Sequence, residues 1–197
     1  MKRELDEIFG ISDTIVLHNG INIARFTDVK EKKSDIRQML GIPENAYVIG
    51  CVARFCKVKN HSFLIDVFAD VKRKNPDAFL FLVGSGNLQS EIESKLNSKG
   101  LAGSYLILSK KTDIPRLLKA MDVFSLTSFS EGFPLVCIEA QAAGLPCIVS
   151  EGSPTDAVLS EHTARIGLEE PAISRLVLKK VALFRVYFFS LADTFNF

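Results

Sequence analysis

The chain has 197 residues, of which 47% are hydrophobic and 24% charged, a composition that fits one ordinary globular domain. The net charge is +1, Lys and Arg do not cluster with aromatic residues, and Cys and His lack the spacing of metal ligands, so we expect neither a nucleic acid partner nor a metal cofactor. Because the sequence shows neither an apolar run of about 18 residues nor a signal peptide, we expect a cytoplasmic protein, with peripheral attachment to the inner face of the membrane as the alternative.

Buried strands and amphipathic helices alternate along most of the chain. Before them, residues 1–45 show one clear short strand, Thr14–Leu17, and then a polar, charged stretch from Asp28 to Gln38. Continuously apolar runs predict strands at Ala46–Ala53, Ala78–Val83, Tyr105–Leu108, Asp122–Thr127 and Pro146–Ser150. Apolar stripes at helical spacing predict helices at His61–Lys74, Leu88–Lys99, Ile114–Ala120 and Pro134–Ala143. This pattern predicts an α/β fold, a Rossmann-like parallel sheet with helices on both faces.

Residues 167–197 do not continue this alternation. They are rich in Phe and Val but show neither a clean helical period nor a cap. We therefore divide the chain into an initial segment (1–45), a Rossmann-like domain (46–166) and an atypical apolar tail (167–197). A change of reading frame near residue 166 would explain the tail, and the genomic sequence around that codon tests this hypothesis.

Three cations follow the first predicted strand, at the edge where ligands bind in parallel sheets. Arg54, Lys57 and Lys59 fall within six residues. Arg can bind phosphate oxygens in pairs and Lys supplies a point charge, so the loop could hold a diphosphate and stabilise it as a leaving group. Taken alone, the loop is better explained as a solvated basic surface.

Gly84 and Gly86 close the second predicted strand. Glycines at a strand end let the backbone approach a ligand closely, but they are also ordinary turn residues. The third glycine of a dinucleotide fingerprint is missing, so the local sequence favours a turn.

Two glutamates flank a predicted helix start after the fourth strand. Glu131 lies in the loop, Gly132 permits close backbone approach, and Pro134 opens the helix that carries Glu139. The free N–H groups at residues 133–136 would form an anion site, and carboxylates accept hydrogen bonds from sugar hydroxyls. The spacing alone is better explained by one capping and one exposed glutamate.

Read together, these motifs are similar to glycosyltransferase family 4 (glycosyl transferases group 1), retaining enzymes of the GT-B fold. The resemblance runs without a gap over residues 14–152. Its motifs stand in the family's order, at Val16–Asn22, Val52–Asn60, Phe79–Gly86, Asp113–Ser128 and Glu131–Val149. The residues of these motifs are most similar to those of enzymes that build capsular or extracellular polysaccharide.

The resemblance implies a donor site for a nucleotide sugar. Arg54 and Lys59 would hold the donor diphosphate and assist its departure, Glu131 would hydrogen-bond hydroxyls of the donor sugar, and Glu139 would hold the ribose. Further donor contacts are implied for Gly84, Gly86, Gly132, Phe133, Pro134 and Leu135. The family usually needs no metal.

The resemblance also implies that residues 1–45 form an interdomain segment and that an acceptor domain precedes them. The chain would then be the C-terminal, donor-binding domain of a retaining hexosyltransferase that acts on a glycan or lipid-linked acceptor. One alternative is a truncated, non-catalytic nucleotide-sugar-binding module. Another is a different GT-B enzyme, such as a sugar-nucleotide epimerase. The context of Glu131 and Glu139, which resembles the family's E-x7-E motif of two glutamates separated by seven residues, argues against this alternative.

Overall fold

A parallel sheet forms the centre of this computed structural model, which describes residues 19–109 and 113–168 and the single residues 7, 8, 10, 15, 17 and 177. Within these residues the sheet has six strands in the order β3-β2-β1-β4-β5-β6. The strands are β1 (Tyr47–Val52), β2 (Ala78–Val83), β3 (Tyr105–Leu108), β4 (Val123–Leu126), β5 (Cys147–Ser150) and β6 (Thr163–Ile166). The helices are α1 (Ala24–Thr27), α2 (Lys33–Leu40), α3 (His61–Lys74), α4 (Gln89–Ser98), α5 (Ile114–Lys119) and α6 (Leu135–Ala142).

The strand order reverses between β1 and β4. β1 pairs along its whole length with β2 and, through Ile49 and Gly50, with β4 on its other side. The chain therefore leaves these two neighbouring strands in opposite directions across the sheet, which opens a crevice at their carboxyl ends. The loops that follow β1 and β4 border this crevice.

Helices pack in two groups on this sheet. α3 contacts α4 and β2, whereas α1 and α2 contact α5, and α1 also contacts α6. Every residue of β2 is buried, as a central parallel strand covered on both faces requires. The predicted α/β, Rossmann-like fold is confirmed, and each predicted strand and helix between residues 46 and 150 is present with ends that differ by at most one residue.

One of those ends changes a site residue's position. The helix predicted from Pro134 begins at Leu135, because Pro134 has a ψ of 88°, outside the helical region. Pro134 therefore immediately precedes α6, and its carbonyl oxygen accepts a hydrogen bond from the Cys137 N–H at 2.9 Å.

The polar stretch from Asp28 to Gln38 is not irregular, because α2 begins inside it. α2 buries Ile36 and, unusually, Arg37, which is 6% exposed. The Arg37 guanidinium donates to Asp122 at 2.6 Å and to the carbonyl oxygen of Ala120 at 2.9 Å. Polar contacts thus hold a helix whose apolar stripe is too short for sequence periodicity to reveal.

The sequence also failed to predict β6, which pairs in parallel with β5 at the edge of the sheet. Its four residues are short and half polar, and Arg165 extends outward to the carbonyl oxygens of Glu151 and Ser153. Of the predicted strand Thr14–Leu17, the structure describes only Ile15 and Leu17, and both are exposed and lie outside any strand, so the prediction is wrong at these two residues. Most of the tail lies outside the described residues, and the proposed domain bounds stay predictions. Among the described helices, none is both long and apolar enough to cross a membrane.

Candidate functional site

The loops after β1 and β4 lie side by side at the crevice. The first loop makes a short 3₁₀ turn at Lys57–Lys59 and enters α3 through Asn60, which adopts a left-handed conformation with φ 50°. The second loop binds to it twice. The Phe129 N–H donates to the Val58 carbonyl oxygen at 2.8 Å, and the Thr127 hydroxyl donates to the Asn60 carbonyl oxygen at 3.2 Å. These bonds fix the position of one loop against the other.

An ion pair joins the two loops at their centre. The Lys59 ammonium group lies 2.5 and 2.7 Å from the two carboxylate oxygens of Glu131, and the side chains are 20% and 8% exposed. The Ser128 hydroxyl donates to the same carboxylate at 2.5 Å. The backbone N–H of Glu131 donates to the Gly152 carbonyl oxygen at 2.8 Å. The structure therefore brings together two residues for which the sequence predicted contacts to different parts of a donor.

Gly84 and Gly86 pack the loop after β2 against the loop that carries Arg54. A Cβ atom on Gly84 would lie 1.9 Å from the Ala53 carbonyl oxygen, and one on Gly86 would lie 2.2 Å from that of Phe55. Gly84 also has a φ of +154°, which side chains disfavour. The local preference for an ordinary turn thus missed the close approach of two backbones, which positions the exposed Arg54.

We expect Gly84→Ala to lower the free energy of unfolding by about 3 kcal/mol, because the new methyl group meets fixed backbone at a strained φ. Gly132→Ala is the matched control, since a Cβ there would meet nothing within 4 Å. Its effect should stay within about 0.5 kcal/mol. Urea denaturation followed by circular dichroism measures both, and equal losses would contradict the packing role of Gly84.

The start of α6 borders the same crevice. The first N–H groups of a helix have no acceptor within it and carry a partial positive charge, which suits anions. In α6 these groups include those of Leu135 and Val136, directly after Gly132, Phe133 and Pro134. Because Gly132 is surrounded by open space, a ligand can come close to the backbone at this point.

Glu139 lies further along α6 and is half-buried. Burial raises the pKa of its carboxyl group, and the nearby positive charge of Arg25 on α1 partly offsets this shift. Among the described residues, Glu139 makes no hydrogen bond to Lys59 or Glu131, so the structure places the two glutamates in separate environments. The predicted carboxylates thus flank the start of α6 without sharing a partner.

A second group of buried polar side chains lies beneath the Lys59 loop. His61, which is 3% exposed, places Nε2 at 4.0 Å from the Cys51 sulfur and packs edge-on against Phe55. Burial raises the pKa of the Cys51 thiol to about 12, and burial together with the Lys59 charge lowers the pKa of His61 to about 4. Both groups are therefore neutral at pH 7, and the pair is not an activated thiol.

The lowered pKa of His61 makes stability depend on pH. Its folded pKa of about 4 lies below the ordinary 6.5, so between these values the unfolded chain binds more protons and stability falls as the pH falls. We expect His61→Gln to reduce the slope of unfolding free energy against pH by about 1 kcal/mol per unit near pH 5. His162→Gln, at an exposed position, is the control. If His61→Gln and the unchanged chain gave identical slopes in denaturation series from pH 7 to 5, the lowered pKa of His61 would be contradicted.

Two cavities lie near the crevice but outside the ion pair. One, of about 420 Å³, runs between α3 and α4 and includes His61 and Phe129. The other, of about 630 Å³, lies beside α6 and includes Phe133. Neither of these two cavities is lined by Lys59 or Glu131. Within the described part of the chain, no group of three or more His, Cys, Asp or Glu side chains could hold a metal ion.

The roles of three residues of this site were not predicted from the sequence. Thr127 and Ser128 are buried polar residues that follow an apolar strand, a signal that points to specific hydrogen bonds. Gly152 gives no such signal, although a Cβ there would lie 2.5 Å from the Ser128 carbonyl oxygen. Close packing at Gly152 thus supports the loop that carries Glu131.

Known proteins share both this sequence and this fold. The chain is 38% identical over 158 residues to the putative glycosyltransferase EpsF of Bacillus subtilis, a match that covers 79% of this chain and 41% of EpsF. It is 35% identical over 138 residues to the UDP-Gal:alpha-D-GlcNAc-diphosphoundecaprenol alpha-1,3-galactosyltransferase of Escherichia coli, covering 68% of this chain and 36% of that enzyme. The chain thus spans less than half the length of these relatives.

A solved structure with the same fold is Anabaena Alr3699/HepE in complex with UDP-glucose. It superposes with a TM-score of 0.76 at 24% identity, over 87% of this chain and 48% of that one. The sequence pattern of the family described as glycosyl transferases group 1 matches residues 32–179, which includes the first part of the apolar tail. This match covers most of the chain and agrees with the motifs at its crevice. The chain belongs to the glycosyl transferases group 1 family.

Proposed function

We propose that this chain binds the nucleotide-sugar donor of a retaining glycosyltransferase. The observation that carries the proposal is the contact of Lys59 with both carboxylate oxygens of Glu131 at the carboxyl ends of β1 and β4. Lys59, a cation for a diphosphate, and Glu131, an acceptor for sugar hydroxyls, are then within hydrogen-bond distance of each other. These two parts of a nucleotide sugar are also adjacent, so the spacing of the side chains fits the ligand.

Each part of the donor has a partner along the crevice. Arg54 and Lys59 bind the diphosphate and stabilise the negative charge that grows on it as the sugar departs. The backbone from Gly132 to Leu135 approaches the phosphates at the start of α6. Glu131 accepts hydrogen bonds from sugar hydroxyls, and Glu139 accepts them from the ribose.

The relatives support the class of donor and acceptor. HepE was solved with UDP-glucose, and the Escherichia coli relative carries UDP-Gal and a diphosphoundecaprenol acceptor in its name. We therefore propose a hexose donor and a glycan or lipid-linked acceptor, in the synthesis of capsular or extracellular polysaccharide. A cytoplasmic location, at the inner face of the membrane when the acceptor is a lipid, accords with this chemistry. Since cationic side chains meet the diphosphate, we also propose that donor binding needs no metal.

Calorimetric titration of the 197-residue chain with UDP tests the proposal. We expect one-to-one binding in the micromolar to millimolar range that EDTA does not change. Glu139→Ala should weaken UDP binding about tenfold by removing the ribose acceptor, while binding of inorganic pyrophosphate, which has no ribose, should not change. The absence of binding to both UDP and GDP would overturn the proposal.

A non-catalytic nucleotide-sugar-binding module is the second candidate function. The matched region covers 41% of EpsF and 36% of the Escherichia coli relative, and donor binding by this region does not by itself require sugar transfer. We expect the chain alone to transfer little or no labelled sugar, because a second domain must supply the acceptor. Robust transfer by the isolated chain would refute this expectation and favour a complete enzyme.

A further inference from the structure

Ser128 holds Glu131 independently of Lys59. It is fully buried where the chain leaves β4, and its hydroxyl donates to the Glu131 carboxylate at 2.5 Å. Its own carbonyl oxygen accepts a hydrogen bond from the Ser150 hydroxyl at 2.5 Å, which ties it to β5. The Ser128 hydroxyl is therefore a fixed donor on the sheet, whereas the Lys59 ammonium group ends a flexible side chain.

The two donors respond differently to a diphosphate. A phosphate group competes with Glu131 for the Lys59 ammonium group, because both are anions. The Ser128 hydroxyl carries no charge and stays with the carboxylate. Glu131 is only 8% exposed, so after Lys59 turns away it still needs a hydrogen-bond donor to remain in place.

We infer that Ser128 is a positioning residue, whose hydroxyl keeps the Glu131 carboxylate oriented toward the donor sugar when the diphosphate draws Lys59 away. The inference rests on the proposed function, since it assigns Glu131 to the sugar. It separates two contributions to donor affinity. The sugar's contribution depends on Ser128, and the contribution of the nucleoside diphosphate does not.

The experiment compares the affinities of a nucleotide sugar and of its nucleoside diphosphate. Calorimetry on the full chain uses UDP-glucose and UDP-galactose against UDP, and GDP-mannose against GDP. In Ser128→Ala, the affinity for UDP or GDP should stay within twofold, while the gain conferred by the best-bound sugar should fall about tenfold, as expected for one hydrogen bond to a charged group. This difference is one that a merely structural role would not produce.

Ser125→Ala is the matched control. Ser125 lies on β4, three residues before Ser128, and is fully buried, and its hydroxyl has no hydrogen-bond partner among the described residues. The substitution removes a buried hydroxyl oxygen that makes no hydrogen bond to Glu131, so both affinities should stay unchanged.

Each other outcome has a distinct meaning. Equal weakening of UDP and UDP-sugar binding in Ser128→Ala would overturn the positioning role in favour of a structural one, as would the same effect in Ser125→Ala. A sugar that adds no affinity in the unchanged chain would overturn the inference and leave nucleotide binding intact. Failure of the unchanged chain to bind any nucleotide would overturn the proposed function itself.

Discussion

Replacing Asp122 with Ala is expected to lower the free energy of unfolding by about 3–5 kcal/mol, the range for breaking a buried ion pair. Asp122 accepts hydrogen bonds from Arg37 at 2.6 Å, from Lys33 at 2.5 Å and from the Val48 backbone N–H at 2.7 Å. The side chain of Arg37 is only 8% exposed, so its charge would be left buried without its partner. The same change removes the carboxylate that links α2 to the strand β1.

Urea denaturation followed by circular dichroism measures this loss. Asp122→Asn should cost less, because the amide oxygen can still accept the Val48 N–H. The control is Glu31→Ala, which removes a partly exposed ion pair with Arg116 and should cost about 1 kcal/mol or less. If Asp122→Ala were no more destabilising than Glu31→Ala, the buried network would not hold α2 in place.

The double substitution Arg54→Ala with Lys59→Ala is expected to lower the affinity for UDP about 100-fold or more. Each residue would lose a charge-assisted hydrogen bond to the diphosphate, at about 1.5–3 kcal/mol apiece. The exposed Lys57 lies on the same loop and is the matched control. Lys57→Ala should lower the affinity about threefold or less, because an exposed charge acts only through a screened field.

Lys59→Ala also leaves the Glu131 carboxylate without its cation, so the folded state must be checked in each variant. Circular dichroism and urea midpoints serve this purpose, and calorimetry with UDP gives the affinity. If the double variant bound UDP as the unchanged chain does, or if Lys57→Ala had the larger effect, the diphosphate assignment would be wrong.

Apolar patterning predicted the central part of the fold and missed its polar supports. The strands from β1 to β5 are mostly apolar and largely buried, so both their presence and their parallel arrangement followed from the sequence. The helix α2 was not predicted, because Arg37 and Lys33 attach it to Asp122, a partner 85 residues away from Arg37. The strand β6 was not predicted, because an edge strand buries little side-chain surface and its composition can therefore be that of a loop.

The sequence predicted which residues belong to the site but not which of them contact each other. The motifs named Lys59 and Glu131, but alternation of strands and helices does not say that β4 lies beside β1 rather than beside β3. The pair is 72 residues apart in the sequence and meets only because of that strand order. The role of Gly152 was not predicted for the same reason, since its carbonyl oxygen accepts from Glu131, a residue of another loop.

We propose that a nucleotide sugar binds where the loops after β1 and β4 meet the start of α6. Backbone amide spectra of the isotope-labelled chain, recorded by NMR during titration with UDP-glucose, test it most directly. We expect the largest shifts at the backbone amides of Lys59, Glu131, Gly132, Phe133, Leu135 and Val136. Largest shifts in the cavity between α3 and α4, at Ser62 and Ile92, would contradict it.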